Sequence, residues 1–233
     1  MNNEPLEQLN PPSRHPAIHS PLAGNATGRP GATVFVVDDD ASFLEAVKRL
    51  LRAARFQVKT FMTAEEFLAQ LPANAPGCVL MDLEMPGMGG FELQAVLART
   101  GNPLPVIFLT GRGDIRSSVW AMRQGAEDFL TKLAPKEELL AAVANGLARD
   151  ARERTARARQ KELHALFSSL SDREREVLGH VIQGKMNKQI AGDLGISERT
   201  VKLHRTAITT KLAVHSVAEL TQLWLEAGFA AGK

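Results

Sequence analysis

The stretch TVFVVDDD, residues 33–40, joins a mostly apolar run to three consecutive aspartates. A short apolar run rich in β-branched residues is typical of a buried strand. Neighbouring carboxylates repel one another, so they are expected where a helix N-terminus, a cation or protons compensate for their charge. Asp40 is expected to cap a helix, and capping alone would explain Asp38 and Asp39 equally well. The stretch therefore predicts a buried strand that ends at a helix cap or at a cation site.

Short apolar segments alternate with amphipathic segments downstream of this point. Strands are predicted over residues 33–37, 56–61, 78–81, 105–110 and 128–131. Helices are predicted over residues 41–54, 64–71, 90–99, 114–124 and 136–148. This alternation is typical of a parallel sheet that is covered by helices on both faces. Five such strands fit a doubly wound α/β domain of the flavodoxin-like order.

Polar side chains stand at the ends of four predicted strands. Asp38 and Asp39 follow the first strand, and Asp82 follows the third. Thr110 closes the fourth strand and Lys132 follows the fifth. The carboxyl ends of parallel strands share one rim, where such folds bind ligands. Carboxylates without nearby His or Cys favour Mg²⁺, which proteins commonly hold together with water and phosphate.

Residues 33–148 resemble the receiver domain of bacterial two-component response regulators. The matching segments are VFVVDDD, VLMDLEMPGMGGFEL, VIFLTGRGD and DFLTK, in that order. The resemblance implies that Asp82 attacks the phosphohistidine of a sensor histidine kinase and becomes an aspartyl phosphate. It also implies roles around Asp82: Mg²⁺ ligation by Asp39, Asp82 and the backbone carbonyl of Glu84, an indirect Mg²⁺ contact by Asp38, phosphoryl contacts by Lys132 and Thr110, and an aromatic switch at Phe129.

One loop departs from the family pattern. Most receivers have a cis-bonded proline directly after the lysine, whereas this chain reads TKLAPKEEL, with Leu133 after Lys132. A cis bond before a non-proline residue costs about 2.5–4 kcal/mol, so a trans bond is expected here. Pro135 then suits the first turn of the next helix. A rearranged loop would misplace Lys132, and this leaves open a regulator that binds DNA independently of phosphorylation.

The two halves of the chain differ in charge. Residues 31–150 carry 15 acidic and 12 basic side chains, whereas residues 151–233 carry 9 acidic and 14 basic ones. A basic excess is typical of a nucleic-acid-binding domain. Residues 149–167 are rich in Arg and Ala, which predicts a helical linker whose arginines form a solvated face. Residues 1–30 lack apolar periodicity, which predicts a disordered tail.

Residues 168–233 contain four predicted helices, over 172–183, 187–194, 198–212 and 216–227. Ser171 and Glu174 have the spacing of a capping box, and Asn187 and Ser197 are predicted caps of the next two helices. Gly195 lies where a tight turn requires positive φ. Two short helices joined by such a turn describe a helix-turn-helix, whose second helix enters the major groove.

These residues resemble the LuxR-type DNA-binding domain in the segments DREREVL, NKQIA and ISERTVKLHR. The pairing with a receiver is that of the FixJ/NarL response regulators. Helical spacing places Val201, His204 and Ile208 on the buried face of the third helix. The residues predicted to contact DNA are Lys202 and Thr206 at base edges, Lys188, Arg199 and Arg205 at phosphates, and Thr200 and Leu203 beside them.

The sequence thus predicts a cytoplasmic transcription regulator that is controlled by phosphorylation. Its expected partners are a sensor histidine kinase, double-stranded DNA and, once phosphorylated, a second copy of itself. No apolar run approaches the ~20 residues of a membrane span, so no membrane contact is expected. Turnover of an external substrate is not expected, although a Mg²⁺-dependent phosphatase and a phosphate sink are the rival functions. The expected organisation is a tail (1–30), a receiver (31–148), a linker (149–167) and a DNA-binding domain (168–233).

Overall fold

The computed structural model describes residues 31–99, 104–111 and 125–229. The tail predicted over residues 1–30 and the helix predicted over 114–124 lie outside these ranges. Two groups of elements make up the described chain: an α/β group at the N-terminal side and a helical group at the C-terminal side.

The α/β group is built on a five-stranded parallel sheet. Its strands are β1 (Thr33–Val37), β2 (Gln57–Phe61), β3 (Gly77–Asp82), β4 (Val106–Thr110) and β5 (Asp128–Thr131). Their order across the sheet is β2-β1-β3-β4-β5, and every neighbouring pair is parallel. This order confirms the predicted doubly wound, flavodoxin-like fold. It makes β1 and β3 direct neighbours, so the residues that end these two strands meet.

Helices cover both faces of the sheet. They are α1 (Ala41–Ala53), α2 (Ala64–Gln70) and α3 (Gly90–Arg99), together with α4 (Lys136–Ser168), of which the first half covers the sheet. Successive residues of β1 point to opposite faces, so Phe35 packs in the core beneath α2 and α3 whereas Val34 packs beneath α1 and α4. Every residue of β3 and β4 is buried. Burial on both faces explains why these strands read as continuous apolar runs instead of alternating ones.

The C-terminal group contains α5 (Asp172–Ile182), α6 (Asn187–Leu194), α7 (Glu198–Lys211) and α8 (Val217–Glu226). Their shared core includes Val177 and Leu178 of α5, Ile190 of α6 and Val201 of α7. The predicted capping box is confirmed, since Glu174 N–H donates to the Ser171 hydroxyl and Ser171 N–H donates to the Glu174 carboxylate. The four predicted helices are therefore present, with ends shifted by about one residue.

The helices that start at Asn187 and Lys136 begin where predicted, but the roles predicted for two residues at these starts were wrong by one position. Asn187 is the first residue of α6 and not its cap. The N-cap residue is Met186, whose N–H donates to Gln189 Oε1 at 2.8 Å. Pro135 likewise precedes α4 as its N-cap residue, with ψ of 144°. Ser197 caps α7 as predicted, and Gly195 has the expected positive φ of 63°.

Helix α4 is continuous over 33 residues and joins the two groups. At 1.5 Å per residue it is roughly 50 Å long. Its first half buries Leu139 and Val143 against the sheet, while Leu163 and Phe167 belong to the core of the C-terminal helices. One end of the helix is therefore part of each core. No helix in the described ranges is long and apolar enough to cross a membrane.

An ion pair between buried Asp150 and partly exposed Arg154 holds the middle of α4 to the sheet. Asp150 is 2% exposed and accepts the backbone N–H of Gly77 at 3.0 Å. Arg154, one turn later, donates its Nε to both Asp150 oxygens at 2.8 Å and its other nitrogens to the carbonyls of Asn74 and Ala75. These contacts hold α4 against the strand that ends at Asp82, and they reach past residue 148 into the predicted linker.

Candidate functional site

The acidic pocket lies at the carboxyl ends of β1 and β3. Register pairs Val37 with Met81, so the carboxylates that follow these residues converge. Oxygen atoms of Asp38, Asp39 and Asp82 all lie within 4.8 Å of one another. Asp38 is 0% exposed and Asp82 is 5% exposed, whereas Asp39 faces solvent. The pocket therefore combines two buried carboxylates with one at its mouth.

Lys132 reaches into this pocket in spite of the altered loop. Its ammonium lies 2.8 Å from Asp82 Oδ2 and 2.7 Å from Asp38 Oδ2. Its backbone N–H donates to the Thr110 carbonyl at 2.8 Å, which continues the pairing of β4 with β5 for one more residue. The described residues contain no cis peptide bond, so the bond between Lys132 and Leu133 is trans as expected. The Leu133 side chain is 90% exposed. The shifted proline therefore leaves the lysine at the acidic pocket.

The charges in the pocket do not balance. Burial raises the pKa of Asp38, although a hydrogen bond from Lys132 opposes this effect. Partial burial disfavours the charged form of Lys132, but hydrogen bonds to Asp38 and Asp82 outweigh it and raise the pKa of the amine. Asp38 Oδ2 accepts no well-aligned hydrogen bond even though the ammonium is close. One ammonium among three carboxylates leaves net negative charge, which suits a hard divalent cation with oxygen ligands.

The other predicted pocket residues stand around this cluster. Thr110 is buried at the end of β4, and Phe129 is half-buried on β5 with its ring centroid 6.4 Å from that of Phe108. Glu84 is exposed, and its backbone N–H donates to Asp82 Oδ1 at 3.3 Å. The loop after β3 thus folds back toward the Asp82 carboxylate.

A second candidate surface is the outer side of α7. Val201 and Ile208 are buried in the domain core, and His204 is half-buried. The residues of the outer side that face solvent are Arg199, Lys202, Leu203 and Thr206, with Lys188 exposed on α6. Leu203 is 63% exposed. This side therefore presents cations, a hydroxyl and an apolar side chain to solvent.

Two of the predicted DNA-contacting residues also make contacts within the domain. The Thr200 hydroxyl lies 2.9 Å from that of Ser197, at the start of α7. The half-buried Arg205 donates to Asn187 Oδ1 of α6 at 3.2 Å. These contacts within the domain fix the positions of both side chains before either could contact DNA.

Comparison with known proteins assigns both parts of the chain. The family described as "Response regulator receiver domain" matches residues 34–144, and the family described as "Bacterial regulatory proteins, luxR family" matches residues 168–224. The chain belongs to the LuxR-type response regulators. Members of this family are two-component regulators of transcription and not conventional enzymes.

Individual relatives of this LuxR-type response regulator match across both domains. The response regulator protein TmoT of Ectopseudomonas mendocina is 41% identical over 82% of this chain and 87% of its own length. The transcriptional regulatory protein FixJ of Bradyrhizobium diazoefficiens is 36% identical over 84% of this chain and 95% of its own. A solved structure of the response regulator StyR has a TM-score of 0.76 at 47% identity and covers 84% of this chain and 99% of that one.

Some site residues of this response regulator were not found from its sequence. The ring of Phe43 lies 4.9 Å from Lys132 Nζ, close enough for a cation–π contact. The only sequence signal for this contact was the position of Phe43 close to the run of aspartates, and core packing explains a phenylalanine there equally well. The Asp150–Arg154 pair shows the i,i+4 spacing of a solvated helix pair, and its partner Gly77 is distant in sequence.

Proposed function

We propose that this response regulator accepts a phosphoryl group on Asp82 from a sensor histidine kinase and thereby gains affinity for double-stranded DNA. The observation that carries the proposal is the contact of Lys132 with both Asp82 and Asp38. The alternative, a regulator that binds DNA independently of phosphorylation, depended on a displaced Lys132. The lysine instead lies within hydrogen-bond distance of Asp82 Oδ2, which supports the phosphorylated regulator.

Asp82 serves as the nucleophile in this proposal. Phosphoryl transfer requires in-line positioning and compensation of the phosphoryl charge more than covalent help from the protein. The Lys132 ammonium supplies one compensating charge and holds the Asp82 carboxylate in place. Asp38, Asp39, Asp82 and the Glu84 carbonyl would hold Mg²⁺, which supplies further neutralisation of the phosphoryl oxygens when bound.

Phosphorylation is proposed to act through the end of the sheet. The Thr110 hydroxyl would turn toward the phosphoryl group, and Phe129 would follow it into the space that it leaves. The two arrangements are populations of one protein, and the phosphoryl group favours one by differential contact. The favoured state is proposed to form a homodimer through the receiver, so that two tethered DNA-binding domains occupy paired half-sites by effective concentration.

The proposed organisation is a tail (1–30), a receiver (31–148), a linker (149–167) and a DNA-binding domain (168–233), acting in the cytoplasm. The buried contacts of Asp150 with Gly77 and the burial of Leu163 support a linker whose two ends are each held by one domain. Arg159, four residues before Leu163, also pairs with Glu226 of α8 at 2.8 Å, so residues 155–158 lie between the contacts with the receiver and the contacts with the DNA-binding domain.

Intact-mass measurement tests phosphoryl acceptance. The full chain and its Asp82→Asn variant are incubated with Mg²⁺ and a small-molecule phosphodonor. The wild type is expected to gain one phosphoryl group, and the variant none, because an amide is not a nucleophile for this transfer. A phosphoryl gain in Asp82→Asn would move the acceptor to another residue. No gain in either protein would remove the proposed switch.

Removal of divalent metal gives a separate expected result. With excess chelator, phosphoryl gain of the wild type is expected to slow by about 100-fold or more, since the pocket then relies on Lys132 alone against three carboxylates. The rate is read by intact mass in chelator, after Mg²⁺ is restored, and after Ca²⁺ is supplied. An equal rate in chelator and in Mg²⁺ would show that the pocket works without a cation.

Substitutions on α7 separate base contacts from phosphate contacts. Lys202→Ala is expected to cost about 1–3 kcal/mol on the preferred DNA sequence and to relax base preference at one position. Arg199→Ala is expected to weaken binding to all sequences alike and to reduce the slope of log affinity against log salt by about one. Binding to a randomised set of duplexes distinguishes the two, and a uniform loss for Lys202→Ala would contradict its assignment to a base edge.

A further inference from the structure

Helix α7 meets the rest of its domain mainly through an apolar stripe. Val201 and Ile208 of α7 and the following Leu212 are buried in the shared core. Interdigitated apolar side chains limit how far α7 can shift along its axis, but they carry no directional bond that fixes its position. Hydrogen bonds to base edges demand that position to within a fraction of an ångström. Directional contacts therefore contribute to how its outer side meets DNA: Arg205 donates to Asn187 of α6 from the middle of α7, and further contacts lie at the ends of the helix.

The last residue of α7 makes such a contact. Lys211 Nζ lies 2.7 Å from Glu174 Oε2 on α5. Glu174 is 6% exposed, and its carboxylate also accepts the N–H of Ser171 at 2.7 Å. The hydrogen bond from Lys211 holds the pKa of Glu174 below its usual value, so this carboxylate stays charged at neutral pH. One carboxylate thus caps α5 and fastens the end of α7 to it.

The residue next to Glu174 fastens the chain just before α7 begins. Arg173 donates to the carbonyl of Leu194 at 2.7 Å. Leu194 is the last residue of α6 and leads into the turn at Gly195. Two adjacent residues of α5 therefore contact both the turn that enters α7 and the residue that ends it. We refer to Arg173, Glu174 and Lys211 as the brace.

We propose that Glu174 and Lys211 are positioning residues for DNA reading, because their ion pair sets the axial position of α7 and so brings Lys202 and Thr206 to base edges. Neither Glu174 nor Lys211 needs to touch DNA for this effect. The proposal rests on the proposed placement of α7 in the major groove. If the pair is broken while the apolar stripe persists, the domain keeps its attraction for phosphates and loses discrimination between sequences.

The test compares two duplexes with the full chain. One is a duplex that the phosphodonor-treated wild type selects from a random-sequence library, and the other has the same bases in scrambled order; every variant is treated with the phosphodonor in the same way. Glu174→Gln keeps an acceptor for Ser171 and removes the charge that holds Lys211. It is expected to lower affinity for the selected duplex about tenfold and to change affinity for the scrambled one by less than about twofold.

Asp172→Asn is the matched control. It removes one negative charge from the same turn of α5, but its partner Arg175 lies on α5 itself. Both affinities are expected to stay within about twofold of the wild type. Equal losses in Asp172→Asn and Glu174→Gln would show that α5 charge alone, and not the brace, controls binding.

Lys211 variants separate positioning from a direct phosphate contact. Lys211→Arg is expected to keep discrimination, and Lys211→Gln to lose it with an unchanged slope of log affinity against log salt. A slope reduced by about one in Lys211→Gln overturns the proposal in favour of a phosphate contact. If Glu174→Gln melts below the assay temperature by circular dichroism, the Lys211 pair of variants decides.

The remaining outcomes are distinct. Unchanged discrimination in Glu174→Gln and Lys211→Gln overturns the brace and leaves DNA reading by α7 in place. A phosphodonor-treated wild type that selects no duplex overturns DNA reading itself, and the brace with it.

Discussion

Lys132→Met is expected to slow phosphoryl gain at Asp82 by about 100-fold or more. The Lys132 ammonium contacts both buried carboxylates of the acidic pocket. Without it Asp38 and Asp82 repel each other directly, and the phosphoryl oxygens lose a fixed positive charge at the place where negative charge develops. Removing one such preorganised group typically costs 100-fold to 1000-fold in rate. The rate is measured by intact mass with a small-molecule donor, which leaves kinase recognition out of the comparison.

Lys136→Met is the matched control for this substitution. This substitution removes the same charge four residues later, from an exposed side chain that pairs weakly with the exposed Glu137 at 3.7 Å. The rate of phosphoryl gain in Lys136→Met is expected to equal that of the wild type. Equal rates in Lys132→Met and Lys136→Met would mean that the contact between Lys132 and Asp82 has no part in phosphoryl transfer.

Arg154→Met is expected to lower the free energy of unfolding of the receiver by about 3–5 kcal/mol. The substitution leaves the Asp150 carboxylate buried without its cation, and it also removes donors to the Asn74 and Ala75 carbonyls. Removing one partner of a buried ion pair costs this much because the remaining charge is uncompensated. Denaturant unfolding of the full chain measures the loss. Hydrogen exchange at Gly77, whose N–H donates to Asp150, is expected to accelerate in parallel.

Arg157→Met provides the comparison within α4. Arg157 pairs with Glu153 at 3.2 Å on the solvated side of the same helix. Exposed i,i+4 pairs contribute only about 0.3–0.5 kcal/mol, so little change is expected. A loss as small in Arg154→Met as in Arg157→Met would show that Asp150 tolerates the missing partner, and that the contact with Gly77 is not what holds α4 to the sheet.

The fold was predictable because its signals are local. The run that ends at Asp38 and the mostly apolar, fully buried strands β3 and β4 carry the pattern of a buried parallel sheet. Alternation of strands and helices then leaves few topologies, and the order of the sheet places Asp38 beside Asp82. Convergence of the aspartates follows from strand order and needs no knowledge of side-chain contacts.

The position of Lys132 could not be predicted from the altered loop. Its backbone N–H bonds to the Thr110 carbonyl, so β4 fixes the lysine before the chain reaches Leu133. The proline that most receivers place next in sequence is thus not required to aim this side chain. The loop after the lysine predicted a displaced side chain, whereas the sheet before the lysine determines its geometry.

The contacts of α4 escaped prediction for a different reason. Asp150 and Arg154 have the spacing of an ordinary solvated pair, and only the folded chain brings Gly77 to them. The start of α6 at Asn187 was predicted correctly, but its cap was not. Met186 precedes the helix as the N-cap residue, and its N–H donates to the Gln189 side chain, which the spacing of Asn187 did not indicate.

Fluorescence-anisotropy titration tests most directly whether phosphorylation of Asp82 controls DNA binding. The DNA is a duplex selected by the phosphodonor-treated wild type. The titration is run with and without phosphodonor on the wild type and on Asp82→Asn, and sedimentation of the same samples reports oligomeric state. The wild type is expected to bind at least about tenfold more tightly after treatment and to dimerise, through the effective concentration of paired domains. Asp82→Asn is expected to do neither. Equal affinity of the untreated wild type, the treated wild type and Asp82→Asn would contradict control through Asp82.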